Sequence, residues 1–150
     1  MTDVNELLQA ARDRAREAGV PYDGLALPKE AAAVLQANPA ARLVDVRSRA
    51  EWDFVGRVPK AVEIEWKTYP GMRPNPEFTA TLEAKIPKDA PVFFLCRSGG
   101  RSHDTAIVAK QLGYLDVYNV LEGMEGDRDG TGHRNTVGGW KASGLPWTQS

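Results

Sequence analysis

The chain has one cysteine, and the residues that follow it offer the most chemistry: Cys96-Arg97-Ser98-Gly99-Gly100-Arg101-Ser102. Four apolar residues, Val92 to Leu95, run straight into that cysteine. A continuous apolar run of β-formers signals a buried parallel strand, and open α/β sheets place ligands at the carboxyl ends of their strands. Cys96 therefore stands where a strand hands over to a loop of backbone amides. A helix is expected to open at about Ser102 and to run from His103 to Leu112. Its N-terminal N–H groups and partial positive charge point back at the loop. Gly99 and Gly100 permit positive φ, so successive amides can turn inward as an anion nest. With Arg97 and Arg101 added, the sulfur is expected as a thiolate, and Ser98 and Ser102 can add hydroxyl donors. A nucleophilic thiolate in a positive cradle is the chemistry of covalent catalysis. The same amides could stabilise charge on a transferred group. The plain alternative, a buried core thiol, leaves the Gly/Arg loop without a purpose.

Composition does not choose the transferred group. Cysteine phosphatases place a similar loop between strand and helix, but with a Cys-x5-Arg spacing. Here it is Cys-x4-Arg, and the tighter ring suits a single sulfur atom better than a tetrahedral phosphate. The whole chain narrows the field further. Its 150 residues, 42% hydrophobic and 26% charged with net charge −1, indicate one domain with a real core. A nearly neutral chain lacks the broad basic field that nucleic acid requires. One cysteine cannot form an internal disulfide. No secretory signal or membrane-spanning run is visible, so the expected home is a reducing cytoplasm without membrane association.

The elements that must position the loop follow in order. Residues 4–18 are expected to form an amphipathic helix, opened by a capping-box-like Asp3 and Glu6 and stopped by Gly19 and Pro21. Its polar face, with Arg12, Arg14 and Arg16, is expected to be solvated. A short strand over 24–27 leads to a helix from Pro28. Strands are expected over 42–47, 61–64, 92–95 and 116–121, with one or two helical turns over 49–54 and a helix over 77–86. Residues 66–76, rich in Pro and Gly, are expected as a surface loop. Strands alternating with helices imply a βαβ parallel sheet. Residues 123–139 show no regular period. The N-terminal helix, within residues 1–20, is taken as part of one unit with residues 21–150.

Several segments in order resemble the single-domain rhodaneses. They are Leu43-Val44-Asp45-Val46-Arg47, Glu51-Trp52, Gly56 to Ala61, Cys96 to Ser102, Tyr118 to Gly123 and Gly144-Leu145-Pro146, together spanning about residues 24–147. The resemblance implies a rhodanese-like α/β domain with a central parallel five-stranded sheet flanked by helices. It also implies a sulfurtransferase that takes sulfane sulfur from a small anionic donor such as thiosulfate. Cys96 would hold that sulfur as a persulfide and pass it to cyanide, a thiol or a protein acceptor. No metal or organic cofactor is implied. Cys96 matches the persulfide-bearing cysteine, Arg97, Ser98, Gly99, Gly100 and Arg101 its loop, and Ser102 the helix start. Asp45 and Arg47 match an Asp-x-Arg signature with a supporting role near the loop.

This chain departs from the family pattern at Lys60, where a Gly is usual, at Met124, which replaces the second of two glycines, and in the length of residues 125–139. Arg47 is expected to pair with Glu51. Trp66 and Tyr69, after the third strand, are expected to line an acceptor pocket. His103, at the helix start, is expected to be solvated or structural. Asp127, Asp129 and Gly130 hint at a calcium loop but lack its spacing. Two other activities stay open: a cysteine-based phosphatase or arsenate reductase on the same fold, and a persulfide-carrying or binding module without independent turnover.

Overall fold

Phe93 and Leu95 point to one side of their strand, while Val92, Phe94 and Cys96 point to the other. This alternation, with a period of two, divides the core into two layers. The computed structural model describes residues 3–149. In chain order the elements are α1 (Val4–Ala18), β1 (Gly24–Ala26), α2 (Pro28–Ala37), β2 (Arg42–Asp45), α3 (Arg49–Phe54) and β3 (Val62–Glu63). They continue with β4 (Lys67–Thr68), β5 (Arg73–Pro74), α4 (Phe78–Lys85), β6 (Val92–Leu95), α5 (Gly100–Gln111) and β7 (Val117–Val120). Five strands form one parallel sheet in the order β1-β7-β6-β2-β3. The fold is therefore the expected rhodanese-like one, a central parallel five-stranded sheet flanked by helices.

β6 lies at the centre of that sheet, and its four residues are buried on both faces, which explains its unbroken apolar run. On one face, Val44, Phe94 and Val117 pack with Phe78, Leu82, Ala106 and Ala109 from α4 and α5. On the other, Leu43, Phe93 and Tyr118 pack with Ala11, Ala31 and Val34 from α1 and α2. No helix among the described residues is long and apolar enough to cross a membrane.

Asp3 caps α1 by accepting the Asn5 N–H at 2.9 Å, and Gly19 ends the helix in the left-handed conformation. The polar face of α1 is less solvated than its sequence suggests. Arg14 reaches across to grip Glu30 with bonds of 2.6 and 2.8 Å, and it also donates to Leu25 O. This fork ties α1 to α2 and β1.

Two further departures bear on the site. The surface loop expected over 66–76 contains a small antiparallel hairpin, with Lys67 opposite Pro74 and Thr68 opposite Arg73. Strands of two residues leave no alternating pattern to read, and Pro and Gly mask them. Asn75 anchors the hairpin base through its Nδ2 bond to Glu65 O and its N–H bond to Trp66 O. Also, α5 begins at Gly100, two residues before Ser102, because only Gly99 has positive φ (111°) and serves as the N-cap.

Lys60 has φ 68°, the left-handed region in which an L side chain costs about 1–2 kcal/mol. Its side chain is exposed, with no ion pair among the described residues. Lys60→Gly is expected to stabilise the protein by about 0.5–1 kcal/mol in urea unfolding, after the added chain entropy of glycine is counted. An equal or lower stability would show that Lys60 is not strained.

Candidate active site

Cys96 is free, 1% exposed and seated at the carboxyl end of the central strand. Burial alone would also suit a core thiol. The polar atoms around the sulfur separate the two cases. The Gly99 N–H donates to Sγ at 3.1 Å, and Ser102 Oγ lies 3.3 Å away. Gly99 can aim its amide at the sulfur because its positive φ folds the loop back on the strand end. Ser102 is fully buried in the first turn of α5. Ser98, expected as another donor, makes no side-chain hydrogen bond among the described residues. Gly100 contributes a helical residue and not a second left-handed turn.

The two loop arginines have different fates. Arg101 donates to both oxygens of Glu51, at 2.6 and 2.8 Å. Glu51 also closes the capping box of α3 by accepting the Ser48 N–H at 3.2 Å. Burial would raise the Glu51 carboxyl, but the Arg101 hydrogen bonds and charge, with the Ser48 bonds, outweigh it and hold the group below its ordinary value. Burial likewise opposes the charge on Arg101, and Glu51 more than restores it. Arg97, in contrast, is exposed and has no ion-pair partner among the described residues.

The expected Arg47–Glu51 pair is not formed. Arg47 instead folds back on Asp45, two residues earlier, with both side chains at 0% exposure. The guanidinium donates to the Asp45 carboxylate at 2.7 Å and to Gly56 O at 2.7 Å. Geometry decides the choice, because Asp45 sits at the end of the same strand while Glu51 is taken by Arg101. This buried pair joins the end of β2 to the turn after α3, and removing one partner of such a pair costs about 3–5 kcal/mol.

Beside the loop lies a pocket of about 660 Å³, whose walls include Lys67, Tyr69, Met72, Arg97, Arg101 and Glu125. The Cys96 sulfur lies beneath the loop and is not on that wall. Tyr69 lines the pocket and is 65% exposed. Trp66 does not line it, because it packs edge-on against Phe78 with ring centroids 5.0 Å apart. Lys67, Met72 and Glu125 were not visible as site residues in the sequence, since nothing local marks a hairpin or an irregular segment as part of a pocket.

The irregular segment after β7 braces the loop from behind. Met124 N donates to Cys96 O at 2.8 Å and Glu125 N to Arg97 O at 3.0 Å. Gly123 permits this approach: a Cβ there would lie 2.5 Å from Cys96 O and from the Arg97 carbonyl carbon. Further along, the Asp129 carboxylate accepts from Thr131 N, His133 N and the Thr131 and Thr136 hydroxyls. Those donors hold its carboxyl well below the usual range. They also explain the calcium-like pattern as a self-satisfied turn. Trp140 is buried, and its Nε1–H reaches Pro146 O at 2.8 Å. Trp147 stacks under the Lys141 ammonium at 3.8 Å.

A family model for the rhodanese-like domain matches residues 27–128. An uncharacterized protein of Rickettsia conorii, RC0915, is 38% identical over 120 residues, covering 76% of this chain and 88% of that one. Among solved structures, the crystal structure of Rv0390 from M. tuberculosis is 46% identical with a TM-score of 0.80, covering 86% of this chain and 99% of that one. The solution structure of the polysulfide-sulfur transferase homodimer from Wolinella succinogenes has a TM-score of 0.59. It covers 99% of this chain and 95% of that one at 21% identity, a likeness of fold.

The Glu51–Arg101 pair yields a pH signature. A carboxyl lowered by folding stabilises the protein above its ordinary value, and that contribution is lost as pH falls through the lowered value. Glu51→Gln is expected to destabilise the protein by about 1–2 kcal/mol at neutral pH. The gap between wild type and variant should narrow as pH drops below 4.5, the ordinary carboxyl value, in urea unfolding at a series of pH values. A gap independent of pH would remove the charge from the interaction.

Proposed function

Because the chain belongs to the rhodanese-like domain family, we propose that it is a sulfurtransferase working through a Cys96 persulfide. The observation that carries this is the Gly99 N–H aimed at Cys96 Sγ, 3.1 Å away, at the end of the central strand. The Cys96 thiolate attacks the outer sulfur of a donor such as thiosulfate. An S–S bond forms at Cys96 as the S–S bond of the donor breaks, and sulfite leaves with the electron pair. The transferred sulfur then stands one bond, about 2 Å, beyond Sγ. Cyanide, a thiolate or a protein thiol attacks it, and the S–S pair returns to Cys96. Loop amides stabilise the charge that shifts between the two sulfurs.

The exposed Arg97, in no ion pair among the described residues, supplies positive charge at the pocket rim and favours an anionic donor. Arg101 acts as a tie, since Glu51 occupies its guanidinium fork. That occupancy also argues against the phosphatase and arsenate reductase alternative, in which an arginine fork must be free to take an oxyanion. A reducing cytoplasm suits a lone exchangeable thiol.

Incubation with thiosulfate is expected to add one sulfur, about 32 Da, to the intact mass of the wild type. Cyanide should remove it, and Cys96→Ser should never acquire it. No adduct with thiosulfate or mercaptopyruvate would overturn the sulfurtransferase activity. Arg97→Ala is expected to raise the KM for thiosulfate about tenfold with a smaller effect on kcat. An unchanged KM would remove Arg97 from donor binding.

A further inference from the structure

Behind Cys96 lies a chain of polar side chains. Ser102 is fully buried, and Asn119, on β7, is 3% exposed. Counting donors fixes the direction of the hydrogen bonds nearest the sulfur. Gly99 O can only accept, and it lies 3.2 Å from Asn119 Nδ2, so the amide nitrogen is oriented towards it. The same nitrogen reaches Tyr22 Oη at 3.4 Å. The Asn119 amide oxygen therefore faces Ser102 Oγ, 2.5 Å away. That oxygen can only accept, so the one hydroxyl hydrogen of Ser102 is committed to it. The 3.3 Å contact between Ser102 Oγ and Cys96 Sγ must then be carried by the hydrogen of the thiol. Tyr22 Oη also meets His103 Nδ1 at 2.8 Å. From Cys96 through Ser102 to Asn119, every side-chain donor points away from the sulfur.

This arrangement suits a sulfur that carries a bonded atom. A bare thiolate needs donors, and among the described residues only the Gly99 N–H is already aimed at it. Ser102 becomes the second donor only by turning off Asn119, which leaves a buried amide oxygen unpaired. We propose that Asn119 is a positioning residue for the sulfur chemistry. By holding the Ser102 hydroxyl hydrogen away from Cys96, it favours the thiol and the persulfide over the bare thiolate. Its part in turnover rests on the sulfur-transfer function above, whereas its effect on the thiol does not. In the persulfide the charge sits on the outer sulfur, and Ser102 stays with Asn119. When an acceptor removes that sulfur, the S–S electron pair returns to Sγ and the hydroxyl swings to it. Ser102 is thus a donor with two positions, and Asn119 sets the one at rest.

The charges around the sulfur come from every neighbouring element. The Asp45–Arg47 pair closes the end of β2, and the Glu51–Arg101 pair joins α3 to α5. Arg97 stands on the rim with Lys67 and Glu125, and Glu122 is turned away to Gly139 N. Asp104 and His103 lie beside Tyr22. None of them is altered in the variants below, so their field is common to all.

The test is the rate of Cys96 alkylation by iodoacetamide, followed by intact mass across pH. An S–C bond forms, iodide leaves, and the thiol proton passes to solvent. Wild type, Asn119→Leu, Ser102→Ala and the double variant are compared, each with a melting curve. Asn119→Leu is expected to react about fivefold faster than wild type at about pH 6. The difference in rate should shrink as pH rises. In the Ser102→Ala background the acceleration should vanish. No acceleration, an equal acceleration without Ser102, or one that persists undiminished at high pH would overturn the proposal. The last of these reports only a loosened loop. If the Leu variant fails to fold, Asn119→Ser, too short to reach Ser102, carries the same expectation. Thiosulfate labelling measured in parallel keeps the two claims apart. An accelerated, Ser102-dependent alkylation without any persulfide would uphold the role of Asn119 on the thiol and overturn the sulfur transfer.

Discussion

Two backbone hydrogen bonds, from Met124 N to Cys96 O and from Glu125 N to Arg97 O, tie the loop after β6 to the irregular segment that follows β7. They fix the first two peptides of the loop, so the chain can turn over the sulfur only in one way. Gly123 makes this close approach possible, since any side chain there would meet the loop backbone. The Gly99 amide reaches Sγ, and α5 starts at Gly100, because that backbone is already held.

Charge is settled in pairs around this frame. The Asp45–Arg47 pair is wholly buried and the Glu51–Arg101 pair largely so. Each joins a strand or loop end to α3 or to the turn that follows it. Burial of these ions is tolerable because each guanidinium meets a carboxylate fork, and Arg47 adds a bond to Gly56 O, although its Nη1 is left buried without a partner. With these ions paired, the charged groups on the pocket wall outside the pairs are Arg97, Lys67 and Glu125. The hairpin β4–β5 brings Lys67, Tyr69 and Met72 to the pocket wall, which gives this chain a rim of mixed cationic and apolar character.

The sulfur is embedded in a polar chain that runs through Ser102, Asn119 and Tyr22 to His103. Its members come from the segment before β1, from α5 and from β7. No two hydrogen-bonded side chains among them are closer in sequence than Cys96 and Ser102. Such a network exists only once the sheet has formed, which links the state of the thiol to the fold itself.

The sequence by itself determined the sheet, most helices and the position of the cysteine loop at the end of the central strand. Apolar runs, helical spacing and Gly/Pro punctuation are local signals, and β6, its cysteine and its glycine-arginine loop are contiguous. It also marked Asp45 and Arg47 as structural. What only the tertiary structure decided was partnership. Arg47 chose Asp45, and Glu51 chose Arg101, fifty residues away in sequence. Arg14 left its solvated face for Glu30, Trp66 turned from the pocket to Phe78, and Asn119 found Ser102. A charged or amide side chain carries no record of its partner in its neighbours along the chain. Its partner is whichever group the packed sheet and helices bring within about 3 Å while water is excluded.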